Sequence, residues 1–209
     1  MKICNIFAAG ELNCSVCCVF DADINIAADK GWLNAEKLGI KPDVLVGDFD
    51  SLDFIPENVE IIKHPVQKDD TDTLLAVRIG LERGCNEFYI YGATGGRLDH
   101  TVANIQTLHF IAENGARGYI VGEENITVIK NSYIRFTKDA KGTVSVFSLN
   151  GTSNGVCIEG LFYELNDAEL TSVFPVGVSN EFVGKEAKIG VKDGFLTVFW
   201  QDSINILKR

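Results

Sequence analysis

The sequence predicts an α/β domain with a mainly parallel sheet over residues 1–125, followed by a smaller all-β, sandwich-like domain over residues 126–209. Three observations carry this expectation. In the first part, short apolar runs alternate with stretches of helical period, as strands joined by helical crossovers require. Beyond about residue 126 no long helical period occurs, and strand-like runs are separated by turn dipeptides. The acids of the first part fall where apolar runs end and helices begin.

Taken in order, "KICNIFAA" reads as the first strand, followed by a short helical stretch around Cys14 to Phe20 and a strand at "INIAAD". A helix near Trp32 to Leu38 precedes the strand "VLVGD", and "VEIIKH" is the next strand. Thr71 to Arg83 reads as a helix, with Leu74, Val77 and Leu81 at helical spacing and Gly84 as its stop. "EFYIYG" is a strand. Arg97 to Asn114 is a helix with Leu98, Val102, Ile105 and Leu108 on one stripe, and "GYIVG" closes the series. In the second part "ITVIK", "YIRFT", "TVSVFSL" and "FLTVFW" read as strands. The turn signals there are Lys141-Gly142, Asn150-Gly151, Asn154-Gly155 and Asp193-Gly194.

Hydrophobic residues make up 46% of the chain and charged residues 23%, which argues for a packed globular protein. Nineteen basic against 29 acidic residues give a formal charge of −10, which disfavours nucleic acid as a partner. No apolar run approaches the length of a membrane helix, so no membrane partner is expected. "MKICNIFAAGELNC" is too short, and too soon followed by Glu11, for a signal peptide, so a cytoplasmic location is expected. Cys14-x-x-Cys17 lacks the second pair or His cluster of a zinc site. Cys4, Cys85 and Cys157 lie in apolar surroundings, where a reduced thiol acts as a small hydrophobe.

"VGDFDS" ends a buried strand on Asp48 and Asp50, two anions that a continuing extended chain points to one side. Water must screen them, or a cation must lie between. Asp29 follows "INIAA", Asp70 and Asp72 lie where the Thr71 helix starts, and Asp99 lies in the first turn of the next helix. In a parallel sheet, strand carboxyl ends and helix amino ends share one edge, where ligands bind. Singly, Asp70, Asp72 and Asp99 read more readily as caps or first-turn acids than as ligands. Jointly, oxygen-only ligands at this density suit a hard cation such as Mg²⁺. "YGATGGRLDH" adds a glycine-rich strand-to-helix loop that can approach an anion closely, with Arg97 in it. It is not a Walker A loop.

"GIKPDVLVGDFDS", "KDDTDT" and "YGATGGRLDHTVANIQTL", with "GVSNEF" in the second part, resemble in that order the signature blocks of bacterial thiamine pyrophosphokinases. The resemblance implies conversion of thiamine and ATP to thiamine diphosphate and AMP with Mg²⁺, by a homodimer with shared active sites. It implies that Asp48, Asp50, Asp72 and Asp99 are catalytic and organise Mg²⁺ and the triphosphate. Asp29, Lys68, Thr94, Gly95, Gly96 and Arg97 would meet ATP, and Ser179 and Asn180, with Asp72, would meet thiamine. The family usually has Asp-Gly-Gly after its second strand, whereas this chain has Asp29-Lys30-Gly31, so Lys30 must act differently from a glycine. Two alternatives stay open. One is another Mg²⁺-dependent nucleotide pyrophosphoryl transferase or hydrolase; the other is a non-catalytic Ca²⁺-binding interaction protein.

Overall fold

The computed structural model describes residues 1–12, 19–47, 58–63 and 70–202. The chain divides into two compact units, Met1–Gly122 and Glu123–Arg209.

The described strands of the first unit are β1 (Ile3–Phe7), β2 (Ile24–Ala28), β3 (Val44–Gly47), β4 (Glu60–Lys63), β5 (Glu87–Tyr91) and β6 (Arg117–Val121). Its described helices are α1 (Gly31–Lys37), α2 (Asp72–Glu82) and α3 (Leu98–Glu113). Across the sheet the strands run β6-β5-β1-β2-β3-β4. Each of these neighbouring pairs is parallel. Every residue of β5, and all but the first of β1, is buried, which is why both read as unbroken apolar runs. Strand order reverses at β1: the chain steps outward through β2 to β4, then returns to lay β5 on the other flank of β1. A crevice opens beyond the carboxyl ends at such a switch point.

The helix ends lie where the sequence places them, but the buried faces do not. On α2 the buried residues are Thr73, Leu75, Ala76, Val77, Ile79 and Gly80, whereas Leu74 and Leu81 are only half-buried. Small side chains let the helix backbone sit close to the sheet. A Cβ on Gly80 would lie 2.5 Å from the Phe88 ring. On α3 the expected stripe is displaced further. Leu98 and Val102 are 76% and 50% exposed, and the buried residues are Asn104, Thr107, Leu108, Ile111 and Ala112. The helix docks on β6 through its second half, where a Cβ on Gly118 would meet Ile111 and Leu108 at 2.8 and 2.9 Å. Its first turn stands clear of the core.

The second unit contains β7 (Asn125–Lys130), β8 (Tyr133–Phe136), β9 (Thr143–Phe147), β10 (Thr152–Glu159), β11 (Leu165–Thr171), β12 (Asn180–Glu181), β13 (Ala187–Gly190) and β14 (Phe195–Trp200). They form the antiparallel sets β12-β9-β14-β7 and β11-β10-β13-β8. Phe136 of one set meets Trp200 of the other edge-on, with ring centroids 5.6 Å apart, so the two sets share one core. Asn154-Gly155 makes no turn. It lies inside β10, where the register against β11 shifts between Ser153 and Val156. Gly155 has φ +65°, the left-handed geometry a bulge demands, and a bulge and a tight turn look alike in sequence. Strand β11, mostly exposed, and the short β12 and β13 carry too weak an apolar pattern to be read.

Candidate active site

Beyond its last strand residue, the β1 chain continues alongside the β5 chain. Ala8 N donates to Tyr91 O (2.8 Å), Gly10 N to Gly92 O (2.7 Å) and Glu11 N to Thr94 O (3.0 Å). The approach is too close for side chains, since a Cβ on Gly10 would lie 2.5 Å from Gly92 O. Helix α1 is fastened to the same fence. The buried Asn34 amide donates to Ala8 O (2.8 Å) and Gly10 O (2.9 Å). Gly31 rests on β1 so tightly that a Cβ there would fall 1.8 Å from Phe7 O. These contacts set one wall of a cleft of about 910 Å³ at the switch point.

Asp29, Lys30, Asp72, Gly95, Gly96 and Arg97 are among the residues lining this cleft. Asp29 adopts φ +48°, a geometry Asp tolerates better than most residues, and donates its N–H to Val46 O (2.8 Å). It therefore sits beside the end of β3. Gly47 is close enough that a Cβ on it would lie 3.3 Å from the Asp29 Cβ. Asp48, Asp50 and Lys68 lie outside the described residues. Asp72 is half-buried in the first turn of α2, whose cap is Thr71: its side chain accepts from Leu74 N at 3.2 Å. Asp70, also at the cleft, pairs with Arg78 at 3.0 Å, which accounts for it structurally.

Asp99 and Thr94 are not among the lining residues. Thr94 contributes its carbonyl to the fence. Asp99 is held by Arg97 in a two-point pair, Nη2 to Oδ2 at 2.6 Å and Nε to Oδ1 at 3.1 Å. The guanidinium bonds hold the Asp99 carboxyl below its ordinary value and raise Arg97 above its own, so both stay charged at neutral pH. Both side chains are largely exposed, and an exposed pair of this kind opens at little cost. Among the described residues no three His, Cys, Asp or Glu side chains gather as a metal cage. The oxygen donors Asp29 and Asp72 in the cleft still suit Mg²⁺, which takes few protein carboxylates and completes its shell with phosphate and water.

In the second unit Ser179 is exposed with φ +57°, and its N–H donates to Ser145 Oγ (3.0 Å). Asn180 is buried and its amide is spent on backbone. Nδ2 donates to Tyr163 O (2.7 Å), and Oδ1 accepts from Tyr163 N and Glu181 N (2.9 Å each). These bonds pin a loop that presents Phe162 and Tyr163, 62% and 65% exposed, edge to face at 4.8 Å. Val173, Phe174, Val176 and Val178 are also exposed in the segment before β12. The sequence reading missed Phe162 and Tyr163. Their one signal is an apolar run that fits neither strand nor helix period.

Two family models match the chain: the thiamin pyrophosphokinase catalytic domain over residues 18–120 and the thiamin pyrophosphokinase vitamin B1 binding domain over residues 131–196. Thiamine pyrophosphokinase of Bacillus subtilis strain 168 is 28% identical over 208 residues, covering 94% of this chain and 97% of the relative. The crystal structure of a Bacillus subtilis thiamine pyrophosphokinase shares the fold with a TM-score of 0.83 at 23% identity, over 97% of this chain and all of that one. A thiamin pyrophosphokinase family protein from Enterococcus faecalis superposes with a TM-score of 0.81 at 26% identity, over 97% of this chain and all of that one. With both domain models matched in order along one chain, the protein belongs to the thiamine pyrophosphokinase family.

Proposed function

We propose that the chain transfers the pyrophosphoryl group of ATP to the hydroxyl of thiamine, giving thiamine diphosphate and AMP. The observation that carries this reading is the switch-point cleft, where Asp29, Asp72 and the Gly95-Gly96-Arg97 loop line one space. The thiamine oxygen attacks the β-phosphorus, and the bridging oxygen leaves with the α-phosphate. Positioning and charge compensation do most of the work in such a transfer. Asp48, Asp50, Asp72 and Asp99 would hold Mg²⁺, which would supply compensation for the phosphate charge that repels the nucleophile. The Arg97–Asp99 pair is a placeholder: an arriving phosphate takes Arg97 and frees the Asp99 carboxylate. Lys68 joins Arg97 at the phosphates. A cytoplasmic setting, which supplies ATP and Mg²⁺ together, belongs to the same proposal.

The test is product analysis. With ATP, thiamine and Mg²⁺ the expected products are AMP and thiamine diphosphate in equal amounts, and chelation of the metal should stop both. AMP with free diphosphate would instead identify a hydrolase.

The thiamine side belongs to the second unit. Exposed aromatic faces attract a cation, and the thiazolium carries a fixed charge. Asn180 acts here by holding Tyr163 in place, beside the exposed Ser179. In the homodimer we propose, each site combines the first unit of one chain with the second unit of its partner. Asn180→Ala, which frees the aromatic loop, is to be refolded together with Asp48→Asn. Random pairing makes half the dimers mixed, each with one intact site, so about a quarter of wild-type activity should return. No recovery, with mixed dimers shown to form, would place each site within a single chain.

A further inference from the structure

The wall of the cleft formed by α1 carries lysine charge that no carboxylate among the described residues answers. Lys30 precedes the helix with φ −56° and ψ −11°, an ordinary right-handed geometry in which no glycine is needed. Lys30, Leu33 and Lys37 all line the cleft, one to two turns apart, and all three side chains are exposed. Their placement is rigid, because Asn34 and Gly31 lock the helix to the β1 chain. The other charged groups at the cleft include compensated ones. Arg97 is engaged by Asp99, and Asp70 by Arg78. Among the described residues, Lys30 has no hydrogen-bond or carboxylate partner, and Lys37 reaches only the Asn34 amide oxygen at 3.5 Å.

Two unanswered ammonium groups repel a thiazolium and attract a phosphate. The wall therefore serves the nucleotide, an inference that rests on the proposed reaction. Between the lysines Leu33, 41% exposed, offers the apolar contact that a sugar or base takes. Lys30 and Lys37 each lie about one turn from Leu33, but Lys30 directly follows Asp29 beyond the end of β2, at the carboxyl edge of the sheet, so a phosphate held at that edge next to a nucleoside on Leu33 falls beside Lys30. Lys37 lies seven residues further along, about 10 Å, too far for one phosphoryl group to touch both.

We propose that Lys30 binds the α-phosphate of the nucleotide, with the nucleoside against Leu33, and that it compensates the charge of the departing AMP. As the thiamine oxygen bonds to the β-phosphorus, the bond from that phosphorus to the bridging oxygen breaks. The electron pair stays on the α-phosphate, which gains negative charge. Lys30 takes no proton in this step; the hydroxyl proton of thiamine passes to water in the cleft.

The experiment measures binding of ATP, AMP and adenosine to the full chain by calorimetry, without thiamine and without metal. AMP inhibition of turnover against ATP is measured beside it. Lys30→Gln should weaken ATP and AMP alike, by about tenfold or more, and leave adenosine unchanged. Lys30→Arg should keep most of the affinity, and Lys37→Gln should change neither nucleotide more than twofold. A Lys30→Gln protein that loses ATP but not AMP would place Lys30 at the outer phosphates and overturn the assignment. Unchanged affinity for both would overturn it as well. If the wild-type chain binds ATP but forms no thiamine diphosphate, the proposed reaction fails while the Lys30 result still stands or falls on AMP. The side chain is exposed, so thermal melts should be unaltered; if Lys30→Gln does melt early, Lys30→Arg and the AMP inhibition constant decide.

Discussion

Asp48→Asn and Asp50→Asn are each expected to lower turnover at least ~100-fold at saturating Mg²⁺ while the fold stays intact. The amide keeps the shape of the carboxylate and removes its charge, so the substitution tests the proposed metal ligand with little change in volume. The approach to these residues is fixed by the sheet. Val46 and Gly47 pair with Ile62 and Lys63 on one side, and Val46 accepts the Asp29 N–H on the other. Without metal, stability should stay level or rise slightly, because two like charges no longer repel. Steady-state rates and thermal melts of both variants check this. Near-normal rates in the two together would remove the metal assignment.

Gly31→Ala should be the most damaging single substitution in the scaffold of the first unit, costing about 3 kcal/mol or more. The added Cβ would lie 1.8 Å from Phe7 O, 2.5 Å from Phe7 C and 3.0 Å from Ala8 N. All three atoms are β1 backbone, so no side chain can rotate out of the way. Relief requires α1 to lift from β1. That would strain the two Asn34 bonds and the packing of Trp32 against Ala27 and Leu45. A melting point lower by about 10 °C is expected. Gly39→Ala is the comparison. Nothing lies within 4 Å of its Cβ, but φ is +72°, so its cost should stay near 1 kcal/mol of backbone strain. Equal melting points for the two variants would contradict the steric account.

The sequence by itself determined the alternation of strand and helix, the ends of α2 and α3, and the change to antiparallel strands near residue 125. It also brought the Asp29 stretch and the Asp70–Asp72 stretch to one cleft, because in a parallel sheet that edge is a consequence of connectivity alone. These features are local or topological, and local chemistry reports them: period, caps and turn residues.

Tertiary structure alone decided which faces are buried and which polar groups are already occupied. Helix α3 has apolar residues on more than one side, with Leu98 and Val102 as well as Leu108 and Ile111, so its period cannot say which side meets the sheet. The choice follows from Gly118, a residue of another element, which lets the second half of the helix approach. Asn180 looks like a ligand-binding residue in "GVSNEF", but Tyr163, seventeen positions away, consumes its amide. Lys30 stands out only because no carboxylate among the described residues reaches it. Each of these outcomes depends on a distance between residues far apart in the chain, and a linear pattern carries no such distance.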